Sequence, residues 1–396
     1  MISQQTKKGE SKMKRGFLLC LVIVGVAVFL SFGQAGAQDK GPIVIGAVQP
    51  LTGPVSIDGL SVVQGIKIAI DKVNAGGGVL GRPISAIIED GKGDPVESVN
   101  AVEKLIRRDK VPAIIGCWAS SATLAAMPIV KRNQVPLLVE TSTAPMITDQ
   151  KNEWVFRFTS HNDIDGALME EYLVPKLGFK KVAYLAVNND WGRSMANAVT
   201  KMMDKTGGKV LFVEYASVAE TNFTPMLTRI KSSEADTMIL TTSIQSVAMI
   251  LKQFRELGMK MNCFVTSAIP AEKVIDIAGK EASEGVYFFN RYVAYSPPKG
   301  KEEENKKLIE AYQKTYPGKA PDMYVAFGYD AVLIMADAIR RAGEVKADKI
   351  RAALEKTDFF GLTGGVKFDE NHHSQPRVSI SQVRKGVPEI VYQLKD

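Results

Sequence analysis

From Ile43 to Phe289 the chain alternates between short apolar runs and helical stretches, and this rhythm restricts its fold more than any other feature. Ile43 to Val48 reads as a strand. Leu60 to Asn74 carries Val63, Ile66, Ile70 and Val73 at helical spacing, and Gly76-Gly77-Gly78 stops that helix by opening positive φ to the backbone. Ile84 to Glu89 is a strand, and Pro95 opens a helix that runs to about Arg108, because a first-turn proline has no N–H to lose. Ala113 to Gly116, a helix from about Ser121 to Arg132, and Pro136 to Glu140 complete the first set. A second set follows Val155-Phe156-Arg157-Phe158, with strands at 181–187, 210–215, 237–241, 263–266 and 285–289 separated by helices. Strands alternating with helices imply parallel sheets covered on both faces. Apolar strands such as Met238-Ile239-Leu240 suit burial on both sides. The last hundred or so residues are less regular, with a long helix over 321–340 and short strand-like pieces near the end.

A chain of 396 residues exceeds what one core usually holds, so an α/β protein of two lobes is expected. Residues 1–37 are set apart as a signal peptide. They combine a basic start, an apolar run from Phe17 to Leu30, and Ala35-Gly36-Ala37 before Gln38. The apolar run is short for a membrane span, which needs about 20 residues. The leader carries five basic residues against one acidic, so its removal lowers the formal charge from +7 to about +3. No basic stripe with interleaved aromatics remains, which argues against nucleic acid as a partner. Cys117 and Cys263 stand far apart in apolar contexts and read as buried thiols. With no Cys-x-x-Cys and only His161, His372 and His373, no metal or cofactor is expected. The pair His372-His373 lies in a polar run that reads as a surface turn.

Two apolar runs end abruptly in small hydroxyl residues: Ile114-Ile115-Gly116-Cys117-Trp118-Ala119-Ser120-Ser121-Ala122-Thr123, and Pro136-Leu137-Leu138-Val139-Glu140-Thr141-Ser142-Thr143. In an open α/β sheet, ligands bind at the carboxyl ends of strands. Ser120, Ser121 and Thr123 straddle a helix start, where unpaired N–H groups favour an anion. A ligand carboxylate on Ser120 Oγ, the adjacent N–H groups and Thr143 Oγ is the reading they support. Taken alone, Ser120 is equally a helix cap.

Enzyme signatures are missing. There is no Gly-x-x-x-x-Gly-Lys-Ser/Thr loop, no Gly-x-Gly-x-x-Gly opening the first helix, and no Gly-x-Ser-x-Gly elbow. Ser120 as a nucleophile would need an adjacent base, and nothing local arranges His161 as one. Asp94 before Pro95 reads as a helix cap. Asp90 reads as a loop carboxylate, and Asp58 sits in the loop past the first strand.

Together with Gln49-Pro50-Leu51-Thr52-Gly53-Pro54, Asn74-Ala75-Gly76-Gly77-Gly78, Asn189-Asp190-Trp191-Gly192 and Phe223-Thr224-Pro225, these runs give the chain a specific likeness. It resembles the periplasmic branched-chain amino-acid (Leu/Ile/Val) binding proteins of ABC transporters, over essentially all of residues 41–396. The resemblance implies a type I periplasmic binding fold: two Rossmann-like lobes joined by three crossovers near 158–162, 289–292 and 362–366, with the ligand in the cleft between them. Lobe one would be 41–159 plus 291–361, and lobe two 160–290 plus 362–396. It further implies a periplasmic, monomeric receptor that closes on a small molecule and meets an ABC permease transiently. Ser120, Thr141 and Thr143 match residues that hold the ligand carboxylate, and Ser121 adds a backbone donor. Trp191 matches an aromatic cover from lobe two (it would otherwise be a lid over a helix start), and Tyr324 an aromatic of the pocket wall.

Several positions depart from that pattern. Ala268 stands where the amino-acid binders use an acid for the ligand ammonium, and Ser243 where they carry a tyrosine. Asp58 replaces an aromatic of the side-chain pocket. Glu140 stands where a proline is frequent, and Ala119 removes the relatives' disulfide. Two ligands remain open: a carboxylate with an aromatic or aliphatic body under Trp191, Tyr324 and Trp118, or an amino acid or amide in a shifted pose on Glu140 or Asp58. A buried ammonium is not left unpaired cheaply. A ligand-sensing or amide-binding regulatory receptor of the same fold is the alternative class.

Overall fold

The computed structural model describes residues 41–159, 161–266, 269–374 and 377–393. The expected leader and Ala268 lie outside them. The first part runs β1 (Ile43–Gln49), α1 (Ser56–Ala75), β2 (Ile84–Asp90), α2 (Pro95–Arg107), β3 (Ile114–Gly116), α3 (Ser120–Asn133), β4 (Leu137–Val139), α4 (Met146–Asp149) and β5 (Val155–Arg157). The second runs α5 (Asn162–Leu177), β6 (Lys181–Val187), α6 (Asp190–Thr206), β7 (Lys209–Ala216), α7 (Thr224–Lys231), β8 (Thr237–Thr241), α8 (Ile244–Glu256), β9 (Asn262–Val265), α9 (Ala271–Ala278), α10 (Lys280–Ser283) and β10 (Tyr287–Asn290). Then follow α11 (Glu302–Thr315), α12 (Met323–Ala342), α13 (Ala347–Leu354) and strands β11 (Asp358–Gly361), β12 (Gly364–Lys367), β13 (Ser379–Arg384) and β14 (Val387–Gln393).

Twelve of the fourteen strands form two sheets, one per lobe, and β11 and β12 pair only with each other. The first has the order β2-β1-β3-β4-β5, parallel throughout. The second has the order β14-β13-β10-β9-β8-β6-β7, parallel from β7 to β10 and closed by antiparallel β13 and β14. In each sheet the strand order reverses beside one strand, between β1 and β3 and between β6 and β8. Such reversals leave a crevice at the strands' carboxyl ends. Register aligns those ends, with Val48 opposite Gly116 in the first sheet and Ala186 opposite Thr241 in the second.

The chain returns to the first lobe with α12, which packs along α1. Their contact is made by backbone. A Cβ on Gly65 would lie 1.9 Å from Val325 O, and one on Gly328 would lie 2.1 Å from Val62 O. The β11–β12 hairpin is fastened to α12 by Asp330, which accepts from Thr363 N (2.8 Å) and Thr363 Oγ1 (2.7 Å). The second sheet gains its last strands only at β13.

Two local expectations are corrected. The first helix begins at Ser56, so Asp58 lies in its first turn and is buried, not in a loop. The turn at His372-His373 is not a surface feature. His372 stacks on Phe156 with centroids 4.1 Å apart, and His373 is buried against Arg157.

Candidate functional site

The two hydroxyl-rich runs form adjacent loops that are tied to each other. Thr141 Oγ1 and Ser142 Oγ each donate to Trp118 O at 2.8 Å. Because the Ser142 proton is used there, Thr123 Oγ1 donates to Ser142 Oγ (2.8 Å), and Cys117 N donates to Thr123 Oγ1 (3.2 Å). Ala144 N donates to Ser120 Oγ at 3.2 Å, which leaves the Ser120 proton unspent. Most of these hydroxyls therefore hold the scaffold. Three buried polar atoms of these runs have no partner: Thr143 Oγ1, Trp118 Nε1 and Glu140 Oε2. No side chain caps α3, whose N-cap position is Ala119. Its first-turn N–H groups point out of the helix end, where an anion is favoured.

These loops form one wall of a cavity of about 680 Å³, a size suited to a small ligand. Trp118, Ser120, Ser121, Thr141, Thr143 and Tyr324 line it from the first lobe, and Trp191 and Ser243 from the second. Trp118 and Tyr324 face each other at a tilt, with centroids 6.4 Å apart. Asp322 caps α12 by accepting from Tyr324 N (2.9 Å) and Val325 N (3.1 Å), which fixes where Tyr324 enters. Trp191 opens α6. Asn189 Oδ1 accepts from Gly192 N (3.0 Å), and Asn162 Nδ2 donates to Trp191 O (3.2 Å) and Ser194 Oγ (2.7 Å). Ser243 caps α8 by accepting from Ser246 N at 3.2 Å. The ends of α3 and α6 thus meet across the cleft.

Two singled-out acids do not reach this wall. Glu140 is fully buried between strand ends, where Gln49 Nε2 donates to its Oε1 at 2.7 Å; burial pushes its pKa up to about 7. Asp58 is buried near Tyr324 with neither carboxyl oxygen hydrogen-bonded. Burial, then the neighbouring Asp322, raises it well above the usual carboxylate range. Among the described lining residues the carboxylates are Asp94 and Asp190, both exposed at the rim. Asp94 serves as the cap of α2, accepting from Val96 N at 2.8 Å. Lys92 and Arg193, outside the candidates drawn from the sequence, also stand at the rim. Arg193 donates to Asn188 Oδ1 through Nε (3.0 Å) and Nη2 (2.8 Å). Its signal was available, since it directly follows Asn189-Asp190-Trp191-Gly192.

Cys117 and Cys263 are buried free thiols, and burial raises both. Among the described residues no group of three or more His, Cys, Asp or Glu is arranged to hold a metal ion.

Comparison with known proteins agrees with this architecture. The leucine-, isoleucine-, valine-, threonine- and alanine-binding protein of Pseudomonas aeruginosa is 27% identical over 364 residues, which cover 92% of this chain and 93% of that protein. A leucine binding protein of Thermotoga maritima is 30% identical, with a TM-score of 0.82 over 89% of this chain and 99% of its own. A solute binding protein of an ABC transporter from Rhodopseudomonas palustris, solved with 3,4-dihydroxybenzoic acid, shares the fold. Its TM-score is 0.81 at 23% identity, over 89% of this chain and 97% of that one. The periplasmic binding protein profile matches residues 42–387, and the chain belongs to that family.

Proposed function

We propose that this protein is the extracytoplasmic receptor of an ABC importer and that it captures a small carboxylic acid whose body is aromatic or aliphatic. The observation that carries this reading is the asymmetry of the cleft. One side offers an uncapped helix end, the Ser120 proton and the unpartnered Thr143 Oγ1. The described inner wall offers no carboxylate for an ammonium, while Trp118, Trp191 and Tyr324 offer apolar faces. The solute would be held with its carboxylate on α3 and its body under Trp191, then delivered to a permease after the lobes close. Desolvation on closure strengthens each polar contact.

We take the hinge to run through 158–162 and 289–292. We take the third crossing to fall between β12 and β13 rather than near 362–366, because the β11–β12 hairpin is fastened to α12. The second reading, an amino-acid ligand, is favoured by the binding proteins of Pseudomonas aeruginosa and Thermotoga maritima. It requires Glu140 or Asp58, neither of which lines the cavity, to reach the ligand.

A thermal-shift screen over aromatic and aliphatic acids, branched-chain amino acids and amides discriminates them, since a bound ligand stabilises by mass action. Acids that raise Tm while amino acids do not support the reading. The reverse result, or turnover of any candidate seen by mass spectrometry, overturns it. With the identified acid, Ser120→Ala and Thr143→Ala should each weaken binding by roughly 1–3 kcal/mol in calorimetry.

A further inference from the structure

Where the connections between the lobes run together, the structure buries more positive charge than it pairs. Arg157 ends β5, Arg291 follows β10, and His373 follows β12; all three are buried. Arg291 Nη2 donates to Asp165 Oδ2 at 2.6 Å, with both side chains fully buried. Its Nε and Nη1 meet no acceptor. Arg157 is surrounded by neutral acceptors: Ala144 O (2.7 Å), Thr148 Oγ1 (2.7 Å) and His373 Nδ1 (3.3 Å). Since His373 Nδ1 accepts, the neutral ring carries its proton on Nε2, and Nε2 too is buried without a partner.

The other titratable groups nearby do not close the balance. The His161 ring lies 4.9 Å from that of His373. Burial and then Arg157 push His161 down to about 4 and His373 to about 2, so both are neutral near pH 7. Asp149, Asp163 and Asp369 act on this cluster from exposed positions. The buried set is thus two guanidinium groups against one carboxylate. A buried charge without a counter-charge is far more costly than an unmade hydrogen bond. Water satisfies N–H groups but adds no charge.

We propose that the hinge holds a monovalent inorganic anion of halide size, with N–H groups of Arg291 and His373 donating to it. The unpartnered atoms of these two residues are all donors, which suits a halide better than bicarbonate or dihydrogen phosphate, whose O–H groups need acceptors. The site joins a residue that follows the second sheet's β10 to one that packs on the first sheet's β5. It is independent of the cleft and of what the cleft binds.

The test exchanges sodium gluconate for sodium chloride or bromide at constant ionic strength and pH, without cleft ligand. Chloride at about five times its Kd should raise Tm by roughly 1–2 °C. Arg291→Gln should abolish that dependence. Crystals of the wild-type protein grown in bromide should show an anomalous peak beside Arg291 and His373, a readout that needs no variant to fold. A Tm indifferent to halide, or a bromide map with only water at the hinge, overturns the proposal.

Discussion

Glu140 is a carboxyl group that the fold holds in the wrong place for a charge. Its neighbours are Gln49 and the buried Cys117, and its pKa of about 7 stands against an ordinary 4.5 because of burial. The folded protein therefore keeps a proton that the unfolded chain releases. Stability contributed by this residue is intact below pH ~4.5, falls as pH rises toward ~7, and stays reduced above it, by about 3 kcal/mol. Glu140→Gln removes the charge and keeps an acceptor for Gln49. Urea unfolding across pH should find the variant and wild type alike near pH 4.5 and the variant more stable at pH 8; parallel curves would refute the assignment. At this scale the sequence was only partly legible. The run Thr141-Ser142-Thr143 announced hydroxyls at a strand end, but not which protons stay free. Thr141 and Ser142 donate to Trp118 O, whereas Thr143 Oγ1 has no partner, and that difference arises from where the neighbouring loop carbonyl falls.

At the scale of elements, periodicity read most strands and helices to within a few residues, because buried parallel strands and amphipathic helices carry strong patterns. It placed the first helix at Leu60 although it begins at Ser56, since no capping side chain marks that start. It also passed over Gly65 and Gly328, whose meaning is tertiary. A glycine inside a helix costs about 1 kcal/mol against alanine unless close packing requires it. Here α1 and α12 touch backbone to backbone at those two residues. Gly328→Ala therefore should not stabilise its helix as propensity alone suggests. The methyl group would press on Val62 O, a carbonyl held in its own helix, and overpacking of this kind costs roughly 1–3 kcal/mol. A Tm below wild type is the expected outcome, and an equal or higher Tm would show that the helices can separate without loss.

For the whole molecule, the alternation of strands and helices made two parallel-sheet lobes readable, because each βα unit is local. How the lobes meet was not readable, since it rests on pairs far apart in the chain. Lys273 on α9, in the second lobe, lies 3.6 Å from Asp322 at the start of α12, in the first. Asp322 is almost fully buried, also receives Ser61 Oγ at 2.9 Å, and neighbours the unpartnered Asp58. Burial opposes the charge on Lys273, but Asp322, Tyr312 and Asp276 together outweigh it and the pKa is raised. The bridge links the two lobes, so it is expected to favour the closed form. Lys273→Met keeps the apolar stem, removes the charge, and leaves two buried carboxyls facing no cation across the interface. With Lys273 about a fifth exposed, the loss to closure is about 1–2 kcal/mol. A ligand that binds the closed form must make up that difference, so its affinity should fall roughly tenfold. The ligand-free variant should also scatter as a more extended particle than wild type. The cleft residues are untouched, so an affinity that holds while Tm falls would reduce the bridge to a local contact and leave closure to the hinge and the ligand.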